Sequence, residues 1–188
     1  EPDKLIINGS NQKKILLKYL GWPKKKLFLY SSFRYTQKPQ SNFLNKIYLS
    51  YSIDNPSEVI FKVKNLFTKI LKDNYQFKII NHPYMRNSHS HKKLVIYLKN
   101  LIQSQKLKKK KNYSIVIGVS AIILEILENG QDVIHICNNS LYEMHSPNIW
   151  DNLLVKKLDK GIYHYHLKKK GTIIKFGSKN LFKKIFNI

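Results

Sequence analysis

A run of β-branched residues that stops at a glycine constrains this chain more than any other stretch. Ile115-Val116-Ile117 reads as a buried strand, and it ends at Gly118-Val119-Ser120, where a glycine turn meets a helix-capping serine. The pattern predicts a helix from about Ala121 to Glu128, closed by Asn129-Gly130, and a second apolar strand over Val133 to Ile136. Tyr113 to Cys137 is therefore expected to be a strand–turn–helix–strand unit with a tight, polar first turn. Free backbone N–H groups at such a turn receive an anionic group such as phosphate. The competing reading is an ordinary βα turn with its cap.

The flanking chain repeats the alternation. Leu5 to Ile7 reads as a strand, followed by a helix carrying Ile15, Leu16, Tyr19 and Leu20 up to Gly21-Trp22-Pro23. A strand is expected over Lys26 to Ser32, a loop over Phe33 to Asn42, and a helical turn or irregular strand within Phe43 to Ile53. Asp54-Asn55-Pro56-Ser57-Glu58 is a strong helix start, and an apolar stripe from Val59 to Leu71 carries that helix to Asn74. Phe77 to Ile80 is the next strand, Ser90 to Gln105 the next helix, and Lys106 to Lys111 a basic linker. Beyond Ile136 the pattern predicts a helix from Asn148 to Asp159, strands over Gly161 to Leu167 and Thr172 to Phe176, and a final helix over Ser178 to Phe186. Strands alternating with helices predict an α/β domain: a Rossmann-like, mostly parallel sheet with helices on both faces, spanning residues 1–188 as one unit.

Charge bears on partners. The formal net charge is +23, from 34 Lys+Arg against 11 Asp+Glu, which points to an anionic partner: nucleic acid, an acidic membrane surface or an anionic glycan. Coding bias toward lysine is the competing source, since arginine appears only at Arg34 and Arg86. Cys137 is the only cysteine, which rules out an internal disulfide and a cysteine-built zinc site. No apolar run reaches the length of a membrane span, and no signal peptide is expected from Glu1-Pro2-Asp3-Lys4. The expected location is the cytoplasm, with peripheral contact to the inner membrane. A first strand with no preamble leads us to expect one half of a longer two-domain chain.

In a sheet of this kind, ligands bind outside the carboxyl ends of the strands. The residues expected there are Ser31-Ser32-Phe33-Arg34, Asn81-His82-Pro83, Gly118-Val119-Ser120 and Cys137-Asn138-Asn139-Ser140. Gly118 permits close backbone approach, and Ser120 can cap the helix or bond a phosphate oxygen. Glu125, just over a turn further on, can take two ribose hydroxyls if it faces the cleft, whereas Glu128 is expected to face solvent. His82, restrained by Pro83, can donate to phosphate or protonate a leaving group, and Arg34 can clamp phosphate. Each also has a plain reading as a surface or turn residue. His89 with His91, and His164 with His166, show no carboxylate or thiolate partner at metal-ligand spacing, so no metal is expected. Gly-x-Ser-x-Gly, Walker and Gly-x-Gly-x-x-Gly patterns are absent.

Gly118-Val119-Ser120-Ala121-Ile122-Ile123-Leu124-Glu125, followed by Asn129-Gly130 and Val133-Ile134-His135-Ile136, resembles the donor-binding segment of GT-B glycosyltransferases. Ile6-Ile7-Asn8-Gly9-Ser10 and Leu27-Phe28-Leu29-Tyr30-Ser31-Ser32 look like the entry into the C-terminal half of that fold. His82-Pro83 together with Ser120 is similar to the His-Pro and Ser-Ser/Thr motifs of bacterial sialyltransferases and polysialyltransferases, although Ser120 is followed here by Ala121. The resemblance implies the nucleotide-sugar-binding half of a bacterial glycosyltransferase that makes capsule or lipooligosaccharide, using a CMP- or UDP-linked donor without metal. Ser120, Ala121 and the amides after Gly118 would hold phosphate, Glu125 the ribose, and His82 the phosphate or leaving group. Asn138, Asn139 and Ser140 would line the far wall. The acidic tripeptide that supplies the family's catalytic base is missing, so little turnover is expected from this chain alone. The implied partners are an N-terminal half and an anionic glycan acceptor. The alternative is a lysine-rich nucleic-acid-binding protein, such as a ribosomal one, which explains the charge but has no recognition motif.

Overall fold

A computed structural model describes residues 2–36, 45–51, 53, 55–71, 77–83, 89–103, 113–137 and 150–177. Its centre is a six-stranded sheet. Four strands run parallel: β4 (Asn45–Leu49), β5 (Phe77–Asn81), β6 (Tyr113–Ile117) and β7 (Asp132–Ile136). A hairpin of β8 (Leu153–Asp159) and β9 (Ile162–Leu167) adds antiparallel to β7, giving the order β5-β4-β6-β7-β9-β8. The chain is α/β with a mostly parallel, mixed sheet and helices on both faces.

Strand alternation divides the core in two. Ile47, Leu49, Ile115, Ile117, Ile134 and Ile136 point to the face covered by α2 (Pro56–Asn65) and α3 (His89–Gln103). Val116 and Val133 point the other way, under α4 (Ile122–Glu128), with Trp150, Leu153 and Tyr165. The predicted start of α2 holds: the Asn55 side chain accepts the Glu58 N–H at 3.4 Å and Pro56 fills the first turn. That helix then widens into a π turn over Leu66–Ile70 and stops there rather than reaching Asn74. The β4–α2–β5 and β5–α3–β6 connections cross the sheet in opposite directions over one face, so their hands are opposite. In a doubly wound sheet they would take opposite faces.

Three other expectations are corrected. Phe43 to Ile53 holds β4, a regular central strand whose Asn45, Ile47 and Leu49 are buried on one side. Residues 153–159, expected as the end of a helix, form β8, because Leu153 and Val155 pack inward in alternation and pair with β9. Gly161 makes that hairpin possible: its φ is +69°, and a Cβ there would strike the Cys137 carbonyl and the Lys62 ammonium. Of the strand expected over Thr172 to Phe176, only β10 (Phe176–Gly177) forms, paired with β3 (Ser32–Thr36), which lies where a loop was expected. The predicted helix over 178–186 and the linker over 106–111 lie outside the described residues.

The N-terminal unit is a small parallel pair, β1 (Leu5–Ile7) and β2 (Leu27–Leu29), joined through α1 (Ser10–Lys18). Its carboxyl end is latched to residues 172–175. The Asn11 N–H donates to the Thr172 carbonyl at 2.9 Å, and the Lys175 N–H donates to the Asn8 carbonyl. Gly9 lies so close to this segment that a Cβ would sit 2.7 Å from the Thr172 oxygen and closer still to that of Ile173. Gly9→Ala therefore forces two backbones apart and is expected to lower unfolding free energy by on the order of 3 kcal/mol. Urea unfolding checks this, since a loss below about 1 kcal/mol means that the seam yields freely.

Candidate functional site

Adjacent strands β4 and β6 send their chains to opposite sides of the sheet, β4 through α2 to β5 and β6 through α4 to β7. The crevice at their carboxyl ends is where an open α/β sheet offers a ligand site. A cleft of about 470 Å³ lies there. It is lined by the end of β4 and the chain beyond it (Tyr48, Leu49, Tyr51), the end of β5 and the chain beyond it (Ile80, Asn81, His82, Pro83) and the chain after β6 (Val119, Ser120, Ala121, Ile122, Glu125), with Tyr35 completing the wall. His82, Pro83, Val119, Ser120, Ala121 and Glu125, singled out in the sequence, thus share one cavity.

The turn after β6 is held from behind. Gly118 has φ +81°, and its N–H donates to the Ile136 carbonyl at 2.8 Å. Its own carbonyl turns inward and accepts from Nε2 of His135 at 2.9 Å. A carbonyl can only accept, so Nε2 carries the proton, and Nδ1 accepts from the Tyr165 hydroxyl at 3.1 Å. Gly118 itself is not among the lining residues; it shapes the turn rather than touching the cavity. Ser120 caps only weakly: its Oγ accepts the Ile122 N–H at 3.4 Å, and Ala121 occupies the N-cap position of α4.

His135 is 1% exposed, and burial pushes its pKa down to about 4, against a small opposing effect of the Gly118 hydrogen bond. The imidazole is therefore neutral at physiological pH, as both bonds require. Because folding depresses its proton affinity, its contribution is whole above the ordinary value of 6.5 and is lost as the pH falls through about 4. Unfolding free energy is expected to drop by about 3 kcal/mol over that window from this residue. Urea titrations at pH 7 and pH 4 on wild type and His135→Gln measure it, and an equal acid loss in both proteins would contradict the assignment.

Inside the cleft, Glu125 stands near Tyr48. Burial, reinforced by the Glu125 carboxylate, pushes the Tyr48 hydroxyl up to about 12, so Tyr48 remains a protonated donor at neutral pH. At the mouth the Tyr51 and His82 rings meet edge to face, centroids 5.7 Å apart at 68°. The wall therefore combines a carboxylate, two hydroxyl types and an imidazole with aromatic faces. This suits a polyhydroxylated, ring-bearing ligand. Tyr35, Tyr48 and Tyr51 had no signal of their own in the sequence beyond lying near strand ends.

Other expected site residues fall elsewhere. Ser32 is buried in β3, where its Oγ accepts the Tyr35 N–H at 3.0 Å, and neither it nor Ser31 lines the cleft. Ser32 opens a strand paired with β10, outside the main sheet, and Ser31 directly precedes it, which is why the strand-end argument misplaced them. The Arg34 side chain and Asn138, Asn139 and Ser140 lie outside the described residues. Glu128, expected in solvent, is 3% exposed: it accepts the N–H groups of Ile173 at 2.7 Å, Ile174 at 2.9 Å and Gly171.

No family model, curated protein or solved structure matches this chain.

Two polar clusters away from the cleft are structural in geometry. His164 and His166 do have a carboxylate partner, contrary to expectation: Asp132 on the adjacent strand contacts His164 Nε2 at 2.9 Å and His166 Nδ1 at 2.7 Å. Sequence spacing could not reveal it, because the pairing of β7 with β9 creates it. Among the described residues no group of three or more His, Cys, Asp or Glu is placed to hold a metal ion. Lys62 is buried and donates to the Cys137 carbonyl at 3.0 Å while pairing with Glu58 at 2.8 Å. Burial pushes the Cys137 thiol up to about 11 despite the nearby Lys62 charge, so it stays protonated and is a poor nucleophile.

Proposed function

We propose that this chain is the nucleotide-sugar-binding domain of a bacterial glycosyltransferase that builds surface polysaccharide, with a CMP- or UDP-linked donor in the cleft at the ends of β4, β5 and β6. The observation that carries the reading is the meeting of His82-Pro83, Ser120 and Glu125 in one cavity at the switch point of the sheet. These are among the residues on which the likeness to the donor-binding half of GT-B enzymes rests, and they come from two crossovers, His82-Pro83 from the one after β5 and Ser120 with Glu125 from the one after β6.

In this reading Glu125 accepts hydrogen bonds from two ribose hydroxyls, a geometry in which an ionised carboxylate forms its stronger bonds. Ser120 Oγ and His82 meet the phosphate by hydrogen bonds, and no metal is required. His82 is the candidate proton donor to the departing nucleotide. The Tyr51 ring at the mouth is a stacking surface for the base or sugar. The acceptor is an anionic glycan, and the catalytic base comes from an N-terminal half.

A thermal-shift screen over CMP, UDP, GDP and ADP tests the reading. A ligand that binds only the folded chain raises its midpoint in proportion to the logarithm of ligand concentration over Kd. The expected result is protection by CMP or UDP above that by GDP and ADP. Salt-sensitive binding to random-sequence DNA with no nucleotide effect would instead favour a nucleic-acid-binding protein.

A further inference from the structure

Every charged side chain between Asp3 and Asp54 is a lysine or Arg34, so the N-terminal unit sits in a stretch of chain without a single carboxylate side chain. The fold sorts the two ends of that unit. In a β–α–β crossover the helix runs opposite to the strands, so the carboxyl end of α1 lies at the amino ends of β1 and β2. The other end is the one latched through Asn8, Gly9 and Asn11 to residues 172–175. What faces away from the body of the protein is thus Lys4, Tyr19, Leu20 and Lys24-Lys25, while Lys18 lies between them and Asp151 of the body, which pairs with Lys14 one turn earlier.

That distal end is apolar as well as basic. Leu20 is 63% exposed and Tyr19 56%, with Phe28 and Ile6 side by side and exposed on the paired strands. The lysines lie over these rings: Lys18 Nζ is 5.1 Å from the Tyr19 centroid and Lys4 Nζ is 5.8 Å from that of Phe28. Exposed aliphatic and aromatic side chains interleaved with lysines suit a partner with anionic heads above an apolar layer. They do not suit the nucleic-acid backbone, which gives Leu20 and Ile6 nothing to bury against and is read preferentially by arginine.

We propose that this distal end is a peripheral docking surface for membranes containing anionic lipid, with the lysines among the headgroups and Tyr19, Leu20 and Phe28 inserted at the acyl boundary. The surface is independent of whatever the cleft binds. Among the described residues no helix is long and apolar enough to cross a membrane, so attachment through this surface is interfacial.

Co-sedimentation of the full chain with vesicles of phosphatidylcholine, with and without phosphatidylglycerol, tests the proposal. Binding is expected only when phosphatidylglycerol is present. The double variant K24E/K25E is expected to weaken it by at least about fivefold per lysine removed. Leu20→Ser, at a side chain that folding leaves exposed, weakens it further at unchanged net charge. The control K168E/K169E removes the same charge from the exposed turn after β9 and is expected to bind nearly as wild type. Circular dichroism and melting midpoints confirm that each variant is folded. Equal losses in the two double variants, or no effect of Leu20→Ser, overturn the proposal in favour of diffuse charge. Binding to duplex DNA with none to phosphatidylglycerol vesicles overturns it in favour of nucleic acid.

Discussion

Replacing Glu128 by alanine is expected to lower the melting midpoint by on the order of 10 °C, the largest stability loss of any single substitution that leaves the cleft untouched. The carboxylate is buried and accepts three backbone N–H groups, those of Gly171, Ile173 and Ile174. Alanine leaves three donors without partners in a water-excluded seam, a penalty of roughly 3–6 kcal/mol. A domain of this kind has only about 5–15 kcal/mol in hand. The damage also spreads, because the segment capped by Glu128 is the one that latches the β1–α1–β2 unit through Thr172 and Lys175. Glu128→Gln keeps one acceptor oxygen but turns an NH2 toward a donor, so its midpoint is expected between those of wild type and alanine. A shift of less than about 2 °C for the alanine variant would mean that the seam is held by other bonds.

The largest functional effect is expected at Glu125. If its carboxylate takes the ribose hydroxyls, Glu125→Ala loses hydrogen bonds to a charged group and weakens nucleotide binding by roughly 10- to 100-fold. The loss has a signature that a merely structural role would not produce. Wild type is expected to prefer CMP or UDP over the corresponding 2′-deoxynucleotide, and the alanine variant to bind the two alike. Calorimetric titration of all four combinations reads out this coupling. A preference for the ribonucleotide that survives in the variant would assign Glu125 to the wall of the cleft and not to the sugar.

Where the chain's local chemistry and its tertiary environment agree, the fold was legible. Ile115-Val116-Ile117 is buried on both faces and reads as such, and Asn55-Pro56 starts a helix in the sequence and in space. β4 was not legible, because Asn-Lys-Ile-Tyr-Leu has only weak strand character and its regularity comes from β5 and β6 on either side. Leu153, Leu154 and Leu158 have helical spacing, yet pairing with β9 prevails over it. The same distinction governs the site. His82, Ser120 and Glu125 were legible because each directly follows a strand or rides on the helix after one. The two glutamates of α4 could not be told apart in sequence beyond a guess about facing. The N–H groups that bury Glu128 lie more than forty residues further along the chain. Asp132 between His164 and His166, and His135 behind the Gly118 turn, likewise depend on strand pairing and not on local spacing.

The most direct test of the central reading is isothermal titration of the full chain with whichever nucleotide protects it best, beside the double variant Glu125→Ala/His82→Ala. A nucleotide-sugar cleft predicts saturable binding at one site per chain in wild type, lost in the double variant at an unchanged melting midpoint. Saturable binding that the double variant retains in full, or no binding of any of the four nucleotides to the folded wild type, would contradict it.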